Sequence, residues 1–194
     1  MTIKIILLIN FLFIIDLIQN TLGASSECSS PPPMVDPHAC CLDPGPNAIA
    51  KSCAKLYGLP VPGEAPNLNA PPPSIDSTVC FAECIMKESK FLKNGVFDVN
   101  AMTTSIKNEF KNDTNYANVM IKAFTVCSET ASKKFEALKK LPIAENIMKS
   151  RCDPIPGVIL GCTYTEYFKN CPSDRWVLHP MCEAAKKYVR NCVQ

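Results

Sequence analysis

Five cysteines recur at nearly equal intervals in the C-terminal part of the chain. Nine, eight, ten and nine residues separate Cys152, Cys162, Cys171, Cys182 and Cys192. If Cys162 and Cys171 share a helix, nine steps of about 100° place their sulfur atoms on opposite faces of that helix. The spacing therefore predicts a helix that is crosslinked to two different neighbours and lies between them.

The N-terminal segment has the pattern of a secretory signal peptide. An apolar run from Ile5 to Ile18 is followed by small residues from Gly23 to Ser26. A membrane anchor is the alternative, but the run is short and Asp16 interrupts it. We expect residues 1–24 to be the signal peptide and residues 25–194 to form a single domain.

All twelve cysteines of the chain follow this segment. An even number of cysteines in a secreted chain predicts up to six disulfides and an extracellular protein. Metal binding is the weaker alternative, because the chain has no Cys-x-x-Cys motif and only two histidines, His38 and His179. The formal net charge of +2, with acidic and basic residues mixed along the chain, argues against a nucleic-acid partner. We expect no cofactor, no metal and no insertion into a membrane.

Prolines are concentrated in the N-terminal part of the predicted domain. Twelve of the seventeen lie between Ser29 and Pro73. Proline excludes regular helix and sheet interiors, so residues 25–73 are predicted to form an extended strap with one short helix, from about Asn47 to Tyr57. The adjacent Cys40 and Cys41 cannot point the same way and should tie this strap to two different places.

Residues 74–171 are predicted to form a helical core. Its first helix should begin at Asp76 or Ser77 as the N-cap and end at 93–95, where Lys-Asn-Gly favours a helix stop. Cys80 and Cys84 lie one turn apart on one face of this helix, so each should bond to a separate partner.

Three further helices are predicted after the first. Asp98 should cap one helix, and another, from Tyr116, carries Cys127 on its apolar stripe and can break at 128–130. The prolines of 154–157 are expected to exclude a helix between Cys152 and Cys162, so the third begins near Cys162.

Pro172 is predicted to end that third helix. Pro180 should open a last helix, within a C-terminal extension of residues 172–194. The fold class is therefore all-α, a compact disulfide-rich bundle of about six to eight helices.

The cysteines also have a distinctive joint spacing. Its features are Cys80-x3-Cys84, forty-two residues before Cys127, Cys152-x9-Cys162, Cys162-x8-Cys171, and Pro172 followed after nine residues by Cys182. This framework resembles that of the insect odorant-binding proteins, and within them the Plus-C branch, which has extra cysteines and a proline after the sixth one. The resemblance covers almost the whole chain after the signal peptide.

The resemblance implies an odorant-binding-protein-like fold with a core of three disulfides, Cys53–Cys84, Cys80–Cys162 and Cys127–Cys171. Cys40 and Cys41 are alternatives to Cys53 as the first of the six. The remaining cysteines allow fifteen pairings, and we expect only that Cys182 or Cys192 reaches back to the strap. These unassigned cysteines are Cys28, Cys40, Cys41, Cys152, Cys182 and Cys192.

The resemblance also implies a function. Such a protein is a secreted carrier that binds a small hydrophobic odorant or pheromone in an apolar cavity and transports it through the aqueous sensillum lymph. A membrane odorant receptor would be an indirect partner, and the carrier would be a monomer or a homodimer.

Large apolar and aromatic side chains on the predicted helices are candidates for the cavity wall, and ordinary core is the alternative that the residue types favour for any single one of them. Tyrosine and tryptophan could donate a hydrogen bond to a ligand oxygen. The candidates are Met86, Phe91, Met102, Ile106, Met120, Phe124, Phe135, Tyr164, Tyr167 and Trp176. A single glycosylation sequon is present, at Asn112.

Two other classes of function are alternatives to the carrier. An enzyme of the Ser-His-Asp or Cys-His type would need His38 or His179, and both are expected to be surface or capping residues, so we predict no enzymatic activity. A secreted disulfide-rich protein that binds another protein, or a non-olfactory carrier of hydrophobic molecules, stays open as the alternative.

Overall fold

A computed structural model describes residues 26–33, 35–45, 47–61, 64 and 72–193. The predicted signal peptide, residues 1–24, lies outside the described residues. The described part contains a 3-10 turn at Ser26–Ser29 and eight α-helices. In chain order they are α1 (Pro37–Cys40), α2 (Ala48–Leu56), α3 (Ile75–Glu88), α4 (Val99–Glu109), α5 (Thr114–Leu138), α6 (Ala144–Met148), α7 (Ile155–Lys169) and α8 (Pro180–Cys192). The all-α, disulfide-rich prediction is confirmed.

The helix α7 occupies the centre of the bundle. It packs against α3, α5 and α8, and its buried residues are distributed around the helix rather than along one stripe. They include Pro156, Ile159, Cys162, Thr163 and Tyr167. Because α7 has buried residues on several sides, it packs against several neighbouring helices, and its exposed side includes Tyr164.

The start of α7 differs from the prediction. The helix begins at Ile155, with Pro154 as its N-cap residue and Pro156 in its first turn. Proline is tolerated there because the first backbone N–H groups of a helix have no acceptor within the helix. The expectation that 154–157 excludes a helix was therefore wrong. Cys171 lies beyond the helix end at Lys169, so Cys162 and Cys171 do not share it.

Several helices are capped by the side chain of the residue directly before their first turn. Asn47, Asp98 and Asp113 each accept a backbone N–H from the first turn of α2, α4 and α5. For α3 the cap is Ser74, not Asp76 or Ser77 as predicted: its hydroxyl oxygen accepts the N–H of Ser77 at 3.0 Å. Ser74 is the earlier residue with extended backbone, which an N-cap requires.

The segment after α3 forms a β-hairpin instead of a longer helix. The helix ends at Glu88, and β1 (Leu92–Lys93) pairs with β2 (Val96–Phe97) in an antiparallel ladder with Leu92 opposite Phe97. Asn94 and Gly95 both have positive φ, 53° and 79°, which is the geometry of a two-residue hairpin turn. The motif at 93–95 thus turns the chain after the helix has already ended.

The helix α5 runs without interruption over 25 residues. The break that the sequence allowed at 128–130 is absent. Two hydroxyls there donate hydrogen bonds to backbone carbonyls of the same helix. Ser128 donates to the carbonyl of Thr125 and Thr130 to that of Val126, each at 2.9 Å. This back-bonding is compatible with helix.

Six disulfides involve all twelve cysteines: Cys28–Cys192, Cys40–Cys182, Cys41–Cys171, Cys53–Cys84, Cys80–Cys152 and Cys127–Cys162. The predicted Cys53–Cys84 bond is present. The predicted Cys80–Cys162 and Cys127–Cys171 bonds are not.

The two differences have one physical origin. Cys162 lies on α7 and faces Cys127 of the long helix α5, with 5.7 Å between the Cα atoms. Cys171 lies past the end of α7 and reaches the strap at Cys41 instead. Cys80 on α3 then meets Cys152, just before α7 begins, with a Cα separation of 5.1 Å. Both Cα separations are normal for a disulfide.

Candidate ligand-binding core

The buried apolar residues form two clusters. The main core joins α3, the hairpin, α4, α5, α6 and α7; it includes Met86, Met102, Ile106, Phe124, Cys127 and Ile159. The C-terminal core lies where the strap meets α7 and α8; it includes Cys40, Cys41, Tyr116, Tyr167, Phe168 and Cys182. Phe110 and Met120 pack against both clusters.

The disulfides divide between the clusters in the same way. Cys127–Cys162 lies within the main core, and Cys80–Cys152 and Cys53–Cys84 fasten α3 beside it. Cys40–Cys182 and Cys41–Cys171 lie within the C-terminal core. Cys28–Cys192 ties the 3-10 turn to the end of α8. Each cluster therefore has its own crosslinks.

Seven of the ten predicted wall residues come together at the main core. Five are buried in it, and Met120 and Phe135 are partly buried against it. The five are Met86, Phe91, Met102, Ile106 and Phe124. The two methionines are completely inaccessible to solvent. Because methionine is unbranched and has three rotatable bonds, its side chain can repack around differently shaped apolar groups.

Three phenylalanines form the aromatic part of the main core. Phe91 meets Phe124 edge-on, with 5.7 Å between ring centroids. Phe97, on β2 of the hairpin, stacks on the same ring at 6.0 Å with an interplanar angle of 16°. The predicted wall residues do not include Phe97, because the sequence predicts a helix stop at 93–95 rather than a hairpin turn between two strands. The signal for Phe97 was the Asn-Gly pair followed by the β-forming residues Val96 and Phe97, which is typical of a hairpin. In the structure Val96 is exposed and Phe97 is half-buried.

The three polar aromatic candidates lie elsewhere. Tyr167 and Trp176 belong to the C-terminal core, and Tyr164 is exposed, with 42% of its surface accessible. Tyr164 contacts the ring of His38 edge-on at a centroid distance of 5.8 Å. None of the three is among the buried residues of the main core.

A polar network fastens the strap to the C-terminal core. The Leu42 carbonyl accepts hydrogen bonds from the Tyr167 hydroxyl and from Nη1 of Arg175, both at 2.9 Å. Arg175 also pairs with Asp113, the N-cap of α5. Burial raises the pKa of Tyr167 to about 12, so its hydroxyl remains protonated and able to donate at neutral pH.

The backbone of the strap adds to this network. Cys41 and Trp176 form an antiparallel bridge, and the N–H of Val177 donates to the carbonyl of Cys40 at 2.9 Å. The indole N–H of Trp176 donates to Glu183 on α8. These contacts assign Tyr167 and Trp176 to holding the strap in place.

Two surface depressions occur on the described part of the protein. One, of about 250 Å³, lies between α5 and α7 and is lined by residues that include Val119, Val126 and Glu166. The other, of about 480 Å³, lies at the start of α4 and is lined by residues that include Lys90 and Asp98. The predicted wall residues line neither depression. The candidate site is the main core, where seven of the ten predicted wall residues come together.

The two histidines of the chain each make a local contact. Nδ1 of His38 lies 2.7 Å from the carboxylate of Asp43, and Nδ1 of His179 accepts the N–H of Met181 at 3.3 Å as the N-cap of α8. Among the described residues, there is no cluster of His, Cys, Asp and Glu that could hold a metal ion. The described helices include none that is both long and apolar enough to cross a membrane.

Comparison with known proteins decides the family. Residues 66–188, more than half of the chain, match the family model described as AgamOBP47-like. The chain belongs to this family of Plus-C odorant-binding proteins. The matched range runs from the end of the strap through most of α8, so it covers all of the main core. The resemblance inferred from the cysteine spacing is thereby confirmed.

A curated relative supports the assignment of this chain to the family. General odorant-binding protein 67 of Anopheles gambiae is 25% identical to it over 112 residues, which are 58% of this chain and 52% of the relative. The chain thus spans about half the length of that relative. Six disulfides and membership of a secreted family fit an extracellular protein.

Proposed function

We propose that this protein is a secreted carrier that binds a small hydrophobic molecule within its main core. One observation carries the proposal: two fully buried methionines, Met86 and Met102, adjoin the aromatic group of Phe91, Phe97 and Phe124 inside a crosslinked helical shell. Membership of the AgamOBP47-like family supports the same conclusion.

The disulfides stabilise the helical bundle, whereas the methionines inside it can change conformation. Disulfides stabilise a fold by restricting the unfolded chain, by about 2–4 kcal/mol each, so less of the stability depends on filling the core. Methionine side chains can change rotamer at low cost to admit a guest. A ligand that enters replaces the contacts it displaces and stabilises the folded state by RT ln(1 + L/Kd), where L is its free concentration.

The hairpin is the proposed entrance. Its ladder has only two residue pairs, Leu92 with Phe97 and Lys93 with Val96, and isolated short hairpins are marginally stable. Phe97 covers Phe124 from this hairpin. Movement of the hairpin away from the bundle would expose the aromatic group without breaking a disulfide.

The residues of the main core indicate which class of ligand the protein would bind. The buried members of the main core are apolar, so they favour neutral molecules with long hydrocarbon or aromatic parts, at about 25 cal/mol for each Å² of apolar surface removed from water. Odorants and pheromones carried through sensillum lymph are of this kind. An odorant receptor would be reached only indirectly, through ligand delivery, and the carrier would act as a monomer or a homodimer.

A fluorescent apolar probe tests the proposal. We expect saturable uptake by the oxidised protein and displacement by long-chain alcohols, aldehydes or esters. Phe97→Leu should weaken probe binding, because it removes the stacked ring, whereas Val96→Ala is the matched control on the exposed side of the same hairpin and should bind normally. Absence of uptake would overturn the carrier and favour a protein partner. Equal effects of the two variants would place the site elsewhere.

A catalytic role is not part of the proposal. His38 is paired with Asp43 and His179 caps α8, so both histidines have structural tasks. Incubation of the purified protein with ester substrates should give no turnover. Turnover that is lost in His179→Ala would contradict this expectation.

A further inference from the structure

The turn between α4 and α5 contains the sequon Asn112-Asp113-Thr114. α4 ends at Glu109 and α5 begins at Thr114, so the sequon straddles the end of the turn and the start of the helix. Asn112 is the last turn residue before the Asp113 cap. We propose that Asn112 is an acceptor of an N-linked glycan. The proposal rests on secretion of the chain, because only that route brings a sequon to the transferring enzyme.

Both residues that the chemistry needs are accessible. Asn112 and Thr114 are exposed, as are Lys111 before them and Asn115 after them. The middle residue of the sequon is instead engaged in the fold: Asp113 accepts the N–H of Tyr116 at 3.1 Å and pairs with Arg175. The sequon therefore presents its acceptor amide and its hydroxyl to solvent from a defined turn.

The inner side of the turn packs against the protein, so a glycan on its exposed side would displace no packed side chain. The rings of Phe110 and Tyr116, on either side of the sequon, meet edge-on with 4.7 Å between centroids. The N–H of Asp113 donates to the carbonyl of Phe110 at 2.9 Å. A glycan on Asn112 would extend into water from this anchored point and would leave Phe110 in contact with both cores.

The transfer is balanced with one named co-reactant, an oligosaccharide linked to a lipid pyrophosphate. Nδ2 of Asn112 forms a bond to the anomeric carbon of the oligosaccharide. The bond from that carbon to the pyrophosphate oxygen breaks, and its electron pair leaves with the lipid pyrophosphate. The amide nitrogen loses one proton to the solvent or to a base of the transferring enzyme. No redox change occurs.

Expression in insect cells and intact-mass measurement test the site. We expect the secreted protein to be heavier than the disulfide-bonded polypeptide by a set of hexose and N-acetylhexosamine units. Peptide-N-glycosidase in ¹⁸O water should remove them and leave labelled aspartate at position 112. Asn112→Gln and Thr114→Val should abolish the added mass. Thr114→Ser should retain it, because serine keeps the hydroxyl.

Asn115→Gln is the matched control. Asn115 is exposed on the first turn of α5 but begins no sequon, so this variant should carry the same glycan as the parent. Secreted protein with six disulfides and the bare polypeptide mass would overturn the glycan and leave the carrier untouched. Protein retained in the cells is scored by the same mass and glycosidase measurements, so failure of secretion is distinguished from failure of glycosylation.

Discussion

The hydroxyl of Tyr167 donates a hydrogen bond to the backbone carbonyl of Leu42 at 2.9 Å, across 125 positions of sequence. This bond joins the central helix α7 to the N-terminal strap. Because the same carbonyl also accepts from Arg175, removing one donor leaves it satisfied. The strap is thus held by side chains as well as by its disulfides.

Tyr167→Phe should lower the free energy of unfolding by about 0.5–1.5 kcal/mol, which is the usual net contribution of one hydrogen bond. Denaturant unfolding of the oxidised protein measures the change. Tyr164→Phe is the control on the same helix, because Tyr164 is exposed and should change stability by less than about 0.5 kcal/mol. Equal effects of the two substitutions would contradict a role for the bond.

The disulfide pairing can be read from peptides of the non-reduced protein. Cleavage after Lys55, Glu83, Lys111, Lys149 and Lys169 and before Asp153 places Cys80, Cys84, Cys127, Cys152, Cys162 and Cys171 on separate peptides. We expect mass spectrometry to find Cys80 linked to Cys152 and Cys127 linked to Cys162. Reduction before digestion, as the control, should release each peptide. Peptides joined through Cys80 and Cys162 would contradict the structure.

The two cores should respond differently to loss of a crosslink. Replacing both Cys41 and Cys171 by Ala should lower stability by about 2–4 kcal/mol and leave apolar-probe affinity unchanged, because this bond lies in the C-terminal core. Replacing both Cys127 and Cys162 by Ala should reduce stability and probe affinity together. The comparison uses thermal unfolding and probe titration on the same samples. Loss of probe affinity in the first variant would contradict separate tasks for the cores.

The ionisation of Asp43 should make the free energy of unfolding depend on pH in the acidic range. The hydrogen bond from His38 lowers the pKa of the Asp43 carboxyl below its ordinary value. The ionised carboxylate therefore stabilises the fold above the unfolded-state pKa of about 3.9, and this contribution is lost as pH falls through the folded-state value.

Asp43→Asn should consequently lower stability near about pH 6, and the difference from the parent should shrink as the pH falls below about 4. Unfolding measured across this range checks the prediction. Asp174→Asn is the control at an exposed carboxylate and should give curves parallel to those of the parent. A difference for Asp43→Asn that grows in acid would have the wrong sign.

Two glycines should respond to alanine in opposite ways. Gly95→Ala should destabilise by about 1–2 kcal/mol, because the hairpin turn requires a φ of 79° there. Gly157→Ala should be neutral or should stabilise by up to about 1 kcal/mol, because the new Cβ would lie 3.7 Å from that of Ala82, an ordinary contact, within a helix. Thermal unfolding compares the two. A stabilising Gly95→Ala would refute the turn geometry.

Much of the local structure could be predicted because its causes lie within a few residues. Asp98 caps its helix as expected, since an N-cap needs only its own side chain and the next three N–H groups. The buried face of α4, with Met102 and Ile106, followed from a spacing of four. The cysteine spacing also determined the family, before any contact was known.

What only the tertiary structure decided is which distant groups meet. Pro154 and Pro156 are compatible with a loop or with the first turn of a helix, and packing of α7 against α3 and α5 selected the helix. The same helix also ends at Lys169, before Cys171.

The change in helix position also decided the disulfides. A disulfide needs two Cα atoms within about 4.4–6.8 Å, and no spacing along the chain reports that distance. Cys162 therefore pairs with Cys127, and Cys171 with Cys41. The sequence by itself indicated that Cys162 and Cys171 would bond to different partners, but the helix that they were expected to share contains only Cys162. The packing of the bundle determined that one crosslink leaves from the helix and the other from the chain just beyond it.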